Sequence, residues 1–354
     1  MRMEGTYLGA YGRLRVLRPE FLSSNFISSL EGKDGDDFVK ALSSTSYKKE
    51  IDALSGLYKL PDLVEVVLNS HMMRMIHDAL FALPPSARSV ISAYMGRWDV
   101  ENIETILSSK VLGYTLEHTE AFITTERAIP IGIFSGMIKR EDYINIIAQK
   151  DIEGVVNYLV KFGYGRVLLK HMDEVKKDGD ITGMVLDLDL YYYNSLFEAF
   201  RFIEGTEGRL LGYIRELIDV KNLLTVMKSL EFQNRDVKSY LIRGGKIPEQ
   251  RLIEMANAKD IQSTKDFIPY KIDDAFEAYK RDPFATYFDV AMRREVYRKY
   301  LGSFERSMNI EFILGFIIRS EIERNELRAV WLSSYYKINR QRAEQMLVLK
   351  HLGA

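Results

Sequence analysis

The sequence predicts an all-α protein built from one helical unit repeated three times, and three observations carry that prediction. Residues 90–107 (VISAYMGRWDVENIETIL), 210–227 (LLGYIRELIDVKNLLTVM) and 314–331 (LGFIIRSEIERNELRAVW) each stack apolar residues four apart in one row, the spacing of a single helix face. The rows are Val90, Tyr94, Trp98, Asn102, Ile106; then Leu210, Ile214, Ile218, Asn222, Val226; then Leu314, Ile318, Ile322, Glu326, Val330. One polar residue notches each row at the same place (Asn102, Asn222, Glu326), and an acid precedes it by three positions (Asp99, Asp219, Glu323). Alternating β-type runs are scarce. AIPIGIF at 128–134 is the best candidate for an extended segment, and Pro130 and Gly132 weaken it.

From the N-terminus, residues 5–31 open with an amphipathic stretch carrying Arg13 and Arg15, broken at Pro19. The turn EGKDGDD follows, and Asp36–Asp37 offer N-cap chemistry for the next helix, which begins DDFVKALSSTSY (36–47). The same short pattern returns as EDYINIIAQKDI at 141–152 and QRLIEMANAKDI at 250–261, at spacings of 105 and 109 residues. SGMIKRED (135–142) and GGKIPEQR (244–251) lead into the second and third copies through matching glycine turns. The notch acids are 120 and 104 residues apart, so two independent markers give a period of roughly the same length. Further amphipathic segments fill the units: LPDLVEVVLNSHMMRMIHDALFAL (60–83), DLYYYNSLFEAFRFI (189–203) and DDAFEAYKRDPFATYFDVAMRREVYRKYL (273–301). The expected division is 1–140, 141–249 and 250–354. A period this long exceeds the usual solenoid repeat of about 20–50 residues. Three such wedges can pack around a pseudo-threefold axis and leave a central concavity, a shape for holding something.

Composition excludes several classes. The 354 residues are 47% apolar, ordinary for a globular chain. Lys and Arg number 49 against 50 Asp and Glu, a net charge of −1, which argues against a nucleic-acid binder. Without a cysteine there is no disulfide, thiolate metal site or cysteine nucleophile. The opening residues lack the apolar core of a signal peptide, and no apolar run is long enough to span a bilayer. The expected location is the cytoplasm.

The polar notches come first among candidate sites. An amide on an apolar row serves packing by hydrogen-bonding a backbone or a neighbouring helix, the reading given to Asn102 and Asn222. Glu326 beside Glu323 would need a cation such as Arg328 or Arg319, or would titrate high; a solvated or inter-domain position is the simpler expectation. Asp273, Asp274 and Glu277 form a DDxxE of the kind that holds magnesium in all-α isoprenoid enzymes, yet no second acidic motif faces it and the acids also suit a helix start. His71 and His77–Asp78 are a weak metal candidate, because six residues place the two histidines about 240° apart around a helix. There is no GxxxxGK[ST] loop and no GxGxxG after a strand, so no nucleotide, cofactor or metal site is expected. The many aromatic residues, Tyr191–Tyr193 and Tyr335–Tyr336 among them, read as core or as lining of the concavity.

These features together resemble the C subunit of archaeal and bacterial A/V-type ATP synthases, which is similar to the d subunit of eukaryotic vacuolar ATPases. YLGAYGRLRVLRPEFL resembles that family's opening helix, with Arg13 and Arg15; LSSTSY (42–47) and LDLDLYYYNSLF (186–197) are similar to two of its inner segments. ILGFIIRSEIERNELRAVW (313–331) resembles its C-terminal helix through Glu321, Glu323, Leu327 and Arg328, with Glu326 in place of the family's asparagine. The resemblance implies a funnel of three helical domains, a non-catalytic rotor part of the central stalk. Such a part sits on the membrane ring of proteolipid (c/K) subunits, as a peripheral membrane protein, and accepts the D and F subunits of the shaft. It would bind neither nucleotide nor nucleic acid. Arg13 and Arg15 are then candidates for ring or inter-domain contacts. A helical scaffold or adaptor is the second reading, and a magnesium-dependent all-α enzyme built on Asp273, Asp274 and Glu277 the third.

Overall fold

The computed structural model describes residues 4–81, 83–113, 133, 136–201, 207–231 and 237–352. Among these the regular structure is entirely helical, with no strand. The segment 128–134 lies outside the described residues except for Ile133. The first helices are α1 (Glu4–Leu17), α2 (Ser24–Ser29), α3 (Gly35–Leu42), α4 (Lys48–Leu54), α5 (Asp62–Phe81) and α6 (Pro85–Val111). Next come α7 (Arg140–Ile147), α8 (Ile152–Leu159), α9 (Tyr164–Leu168), α10 (Met172–Asp178), α11 (Thr182–Arg201) and α12 (Glu207–Glu231). The last are α13 (Glu249–Ala256), α14 (Asp273–Arg281), α15 (Thr286–Phe304), α16 (Ile310–Tyr335), α17 (Arg340–Gln345) and α18 (Leu349–Leu352).

The three notched rows lie on the long helices α6, α12 and α16, and the three repeated short patterns begin α3, α7 and α13. Phe38, Tyr143 and Leu252 hold the same place in those short helices and are buried in all three. Local chemistry sets the boundaries. Pro19 ends α1 in a 3₁₀ turn at Arg18–Glu20. The expected cap at Asp36–Asp37 is displaced: Asp34, in extended backbone, accepts from Asp37 N at 2.9 Å, and the later aspartates occupy the first turn. The stretch 273–301 divides into α14 and α15 because Asp282 precedes Pro283 and is pushed out of the helical region, to φ −143° and ψ 97°.

The chain forms two compact units, residues 1–85 with 200–354, and residues 86–199. In the first, α16 is the core helix, buried along most of its length, with Ile313, Leu314, Ile317, Ile318 and Trp331 all buried alongside the acids Glu311, Glu321, Glu323 and Glu326. Helix α5 runs along it and α1 rests on both; α12 packs on α13 and α15, and α15 returns to α16. The N-terminal and C-terminal segments are cross-tied by Arg18–Glu305 (2.7 Å), Arg328–Glu65 (2.9 Å) and Arg324 Nε to Asn69 Oδ1 (2.9 Å). In the second unit α7, α8 and α9 pack in succession. Helix α11 meets α6 where Tyr192 OH donates to the Tyr94 carbonyl at 3.1 Å. Lys110 closes the end of α7 by donating to the carbonyls of Ile147 and Gln149, at 2.9 and 2.7 Å. No described helix is long and apolar enough to cross a membrane.

Trp331 has no exposed surface and its ring packs on Phe38 at 5.2 Å between centroids. Trp331→Ala is expected to cost about 3–5 kcal/mol, read as a lowered urea midpoint of the purified chain.

Candidate functional site

A buried acid on a helix face costs free energy unless donors surround it, and each notch acid has found them in backbone. Asp99, with no exposed surface, accepts from Met137 N (2.6 Å) and Ile138 N (3.4 Å), and from the hydroxyls of Tyr143 (2.8 Å) and Tyr164 (3.2 Å). Asp219 accepts from Lys246 N (2.8 Å) and Ile247 N (2.9 Å). Three positions on, the amides grip the same segments. Asn102 Nδ2 donates to the Ile133 carbonyl at 3.0 Å, while Asn222 donates to the Ile242 carbonyl and accepts from its N–H, both at 2.8 Å. One helix turn thus pins the backbone leading into the next short helix, α7 in one case and α13 in the other. Gly136 and Gly245 lie against the two carboxylates, where any Cβ would collide with them.

The third helix carries the same device with different partners. Glu323, 1% exposed, accepts from Leu22 N (2.6 Å) and from Tyr47 OH (2.9 Å), so it fixes the segment that precedes α2. Glu326 is buried, not solvated, and takes neither Arg328 nor Arg319 as counter-ion. Its carboxylate accepts from the consecutive N–H groups of Val348 and Leu349 at the start of α18. An amide grips one residue by its carbonyl and its N–H; a carboxylate only accepts and suits two N–H groups. The departure from asparagine at 326 therefore follows its new partner. Arg328 pairs instead with Glu65, and Arg319 lies over the Phe21 ring at 6.0 Å.

Burial pushes the Asp99 carboxyl up to about 6 and that of Glu323 up to about 7, against the pull of their hydrogen bonds. Asp219 is likewise raised by burial. Glu50 goes the other way, to about 2, because His71 and Arg74 overcome its burial. Glu50 sits in a polar chain no sequence pattern revealed. Arg74 reaches both Glu20 (2.9 Å) and Glu50 (2.7 Å), His71 Nδ1 lies 3.3 Å from Glu50, and the His71 ring stacks on Tyr47 at 3.7 Å. Tyr47 then donates to Glu323. Both ends of this chain grip residues 20–22.

The remaining candidates are spent locally or exposed. Arg13 pairs with Asp78 at 2.7 Å and covers the Phe81 ring at 4.8 Å; Arg15 is exposed beside Tyr11. Asp273, Asp274 and Glu277 face three separate cations: Lys265 (2.5 Å), Arg294 (2.5 Å) and Lys280 (2.7 Å). His71 is buried in the polar chain and His77 is exposed. No cluster with metal-holding geometry occurs among the described residues.

Two outcomes follow from the latches. Gly136→Ala and Gly245→Ala are each expected to cost roughly 1–3 kcal/mol in urea unfolding, by forcing the carboxylate off its N–H donors. Glu323 holds its proton more tightly folded than unfolded. Its contribution is therefore full below its unfolded pKa near ~4.3 and is lost as pH rises through about 7. Glu50, being depressed, contributes above its unfolded value and loses that contribution as pH falls towards about 2. Glu323→Gln keeps an acceptor for Leu22 and Tyr47 and is expected to flatten the fall in stability between pH 5 and 8 by roughly 2–3 kcal/mol.

Residues 10–346 match the family described as ATP synthase (C/AC39) subunit. The C subunit of the A-type ATP synthase from Thermoplasma volcanium is 40% identical over 335 residues, 93% of this chain and 94% of the relative. That of Thermoplasma acidophilum is 37% identical over 352 residues, 98% and 99% of the two chains. The equivalent protein of Methanocaldococcus jannaschii, of the same description, is 24% identical over 334 residues, 91% and 81%. A match running through all three notched helices, joined to relatives aligned nearly end to end, places this chain in the ATP synthase (C/AC39) subunit family.

Proposed function

We propose that this chain is a non-catalytic central-stalk subunit of an A-type ATP synthase, built of three related helical units, that seats the D and F subunits of the shaft on the membrane proteolipid ring. The observation that carries the reading is the nearly full-length likeness to proteins named as the C subunit of an A-type ATP synthase. The internal construction supports it. A rotor part must pass torque without creeping, and here the lead-in segments are tied to long helices by buried carboxylates. An ion crossing 100 mV does about 2.3 kcal/mol of work, and a net charge-assisted hydrogen bond contributes about 1.5–3 kcal/mol. One latch is thus comparable to one ion step, and several latches with packed helices behind them exceed it. Such a part holds its neighbours by surfaces, each of at least ~1,000 Å², and attaches to the membrane through the ring.

The magnesium-enzyme reading loses its support, since Asp273, Asp274 and Glu277 are divided among Lys265, Arg294 and Lys280. A general scaffold would not account for the end-to-end likeness. Of the two N-terminal arginines, Arg13 is committed to Asp78, which leaves Arg15 as the better ring contact.

Reconstituted complexes lacking this chain are expected to hydrolyse ATP in the soluble head while pumping no ions. Retained pumping would sink the coupling role. In pull-downs with the proteolipid ring, Arg15→Glu is expected to weaken attachment by about tenfold or more with an unchanged melting temperature. Unchanged attachment would remove Arg15 from the ring interface.

A further inference from the structure

Within the unit formed by residues 1–85 and 200–354, a cleft of about 520 Å³ opens beside the Asp219 latch, a size usual for small-ligand sites. Four cations line it: Lys246, Arg251, Arg298 and Lys299. The acids there do not neutralise them evenly. Asp219 is taken by backbone N–H groups, and Glu295 pairs with Arg298 on its own helix. Glu216, 4% exposed, receives Lys246 Nζ, Lys299 Nζ and Tyr300 OH (3.0 Å) on one oxygen. Two ammonium groups thus share a single buried carboxylate. Arg251 donates to the Asp266 carbonyl at 3.1 Å and meets no carboxylate among the described residues.

This surplus is not required by the latch. The position of Glu216, three before the notch acid, is Gly96 in the first long helix and Ser320 in the third, and the place of Lys246 in the matching lead-in is Met137. Those helices hold their carboxylates in place without any such cluster. We propose that the cleft binds a phosphoryl anion, supplied either by a free phosphate ester or by a phospholipid head group. A phosphoryl group brings about −1.5 to −2 charges and three acceptor oxygens. It gives Lys246 and Lys299 a second acceptor and offers Arg251 the oxygen pair that a guanidinium fork fits. Tyr270 also lines the cleft. The site stands independently of the rotor reading.

The test titrates the full chain at low salt with inorganic pyrophosphate, and in parallel with vesicles of phosphatidylglycerol in phosphatidylcholine. Saturable one-to-one pyrophosphate binding is expected, weakened about tenfold in Lys299→Gln and in Arg251→Gln. Lys170→Gln, an exposed lysine of the other unit, is expected to leave it unchanged. Binding of pyrophosphate without vesicle binding assigns a free ester; vesicle binding with the same dependence on Lys299 and Arg251 assigns a head group. Melting temperatures of the variants separate lost binding from lost fold. Absence of binding in both arms overturns the proposal, as does equal weakening by Lys170→Gln, which would mean unspecific charge attraction.

Discussion

The structure depends on buried carboxylates that accept hydrogen bonds from backbone. Asp99 and Asp219 each stand three residues before an amide on a long helix, about 4.5 Å along its axis. The residues they grip, Ile133 with Met137 and Ile242 with Lys246, are four apart and would span about 13 Å if extended. The segment from Ile242 to Lys246 therefore has to turn. The Gly244–Gly245 pair allows it, with Gly244 at φ +100°. The helix pair, the glycines and the start of the next short helix form one mechanical unit. A buried carboxylate without its N–H groups costs several kcal/mol, so the parts are held together.

The third helix carries a variation of that device. In α16 the acid and the notch residue separate their tasks. Glu323 reaches back to Leu22 and Glu326 forward to Val348 and Leu349. Glu323 has one more methylene than the aspartates it replaces and takes a tyrosine hydroxyl in place of a second N–H. Burial raises its carboxyl towards neutrality against the pull of these donors, whereas Glu50, in the same polar chain, faces His71 and Arg74 and stays acidic. Two carboxylates joined through Tyr47 and His71 thus titrate in opposite directions, because burial dominates at Glu323 while the direct hydrogen bonds from His71 and Arg74 dominate at Glu50.

The helices and the notch were legible because both are periodic in one dimension. Rows of apolar residues four apart, and an acid–amide pair at fixed spacing, survive as patterns whatever surrounds them. The partners were not legible for a physical reason. A backbone N–H belongs to every residue type, so Leu22, Val348 and Leu349 carry no mark of what they bind. Tyr143 was hidden differently: its counterparts are Phe38 and Leu252, so burial is the shared property and its hydroxyl is particular to Asp99. The glycines were the available signal, since SGMIKRED and GGKIPEQR align Gly136 with Gly245 and both face a carboxylate. The cap at Asp34 rather than Asp36 reflects a choice among close aspartates that only backbone angles decide.

Charge on the latches bears on how such a part carries load. A carboxylate accepts from N–H groups whether ionised or protonated, though more strongly when ionised, so the Asp99 and Glu323 contacts persist on both sides of their titration. Raised pKa values alter the stability of the whole fold with pH without releasing the segments they hold. The Glu216 group differs, because its lysines are half-exposed and share one acceptor. Around the same helix turn, Asp219 holds the chain to itself while Lys246, whose own N–H is held by that latch, turns its ammonium towards the open cleft. The latch fixes the backbone so that the side chain beside it can be aimed, which is how a purely internal contact comes to shape a surface.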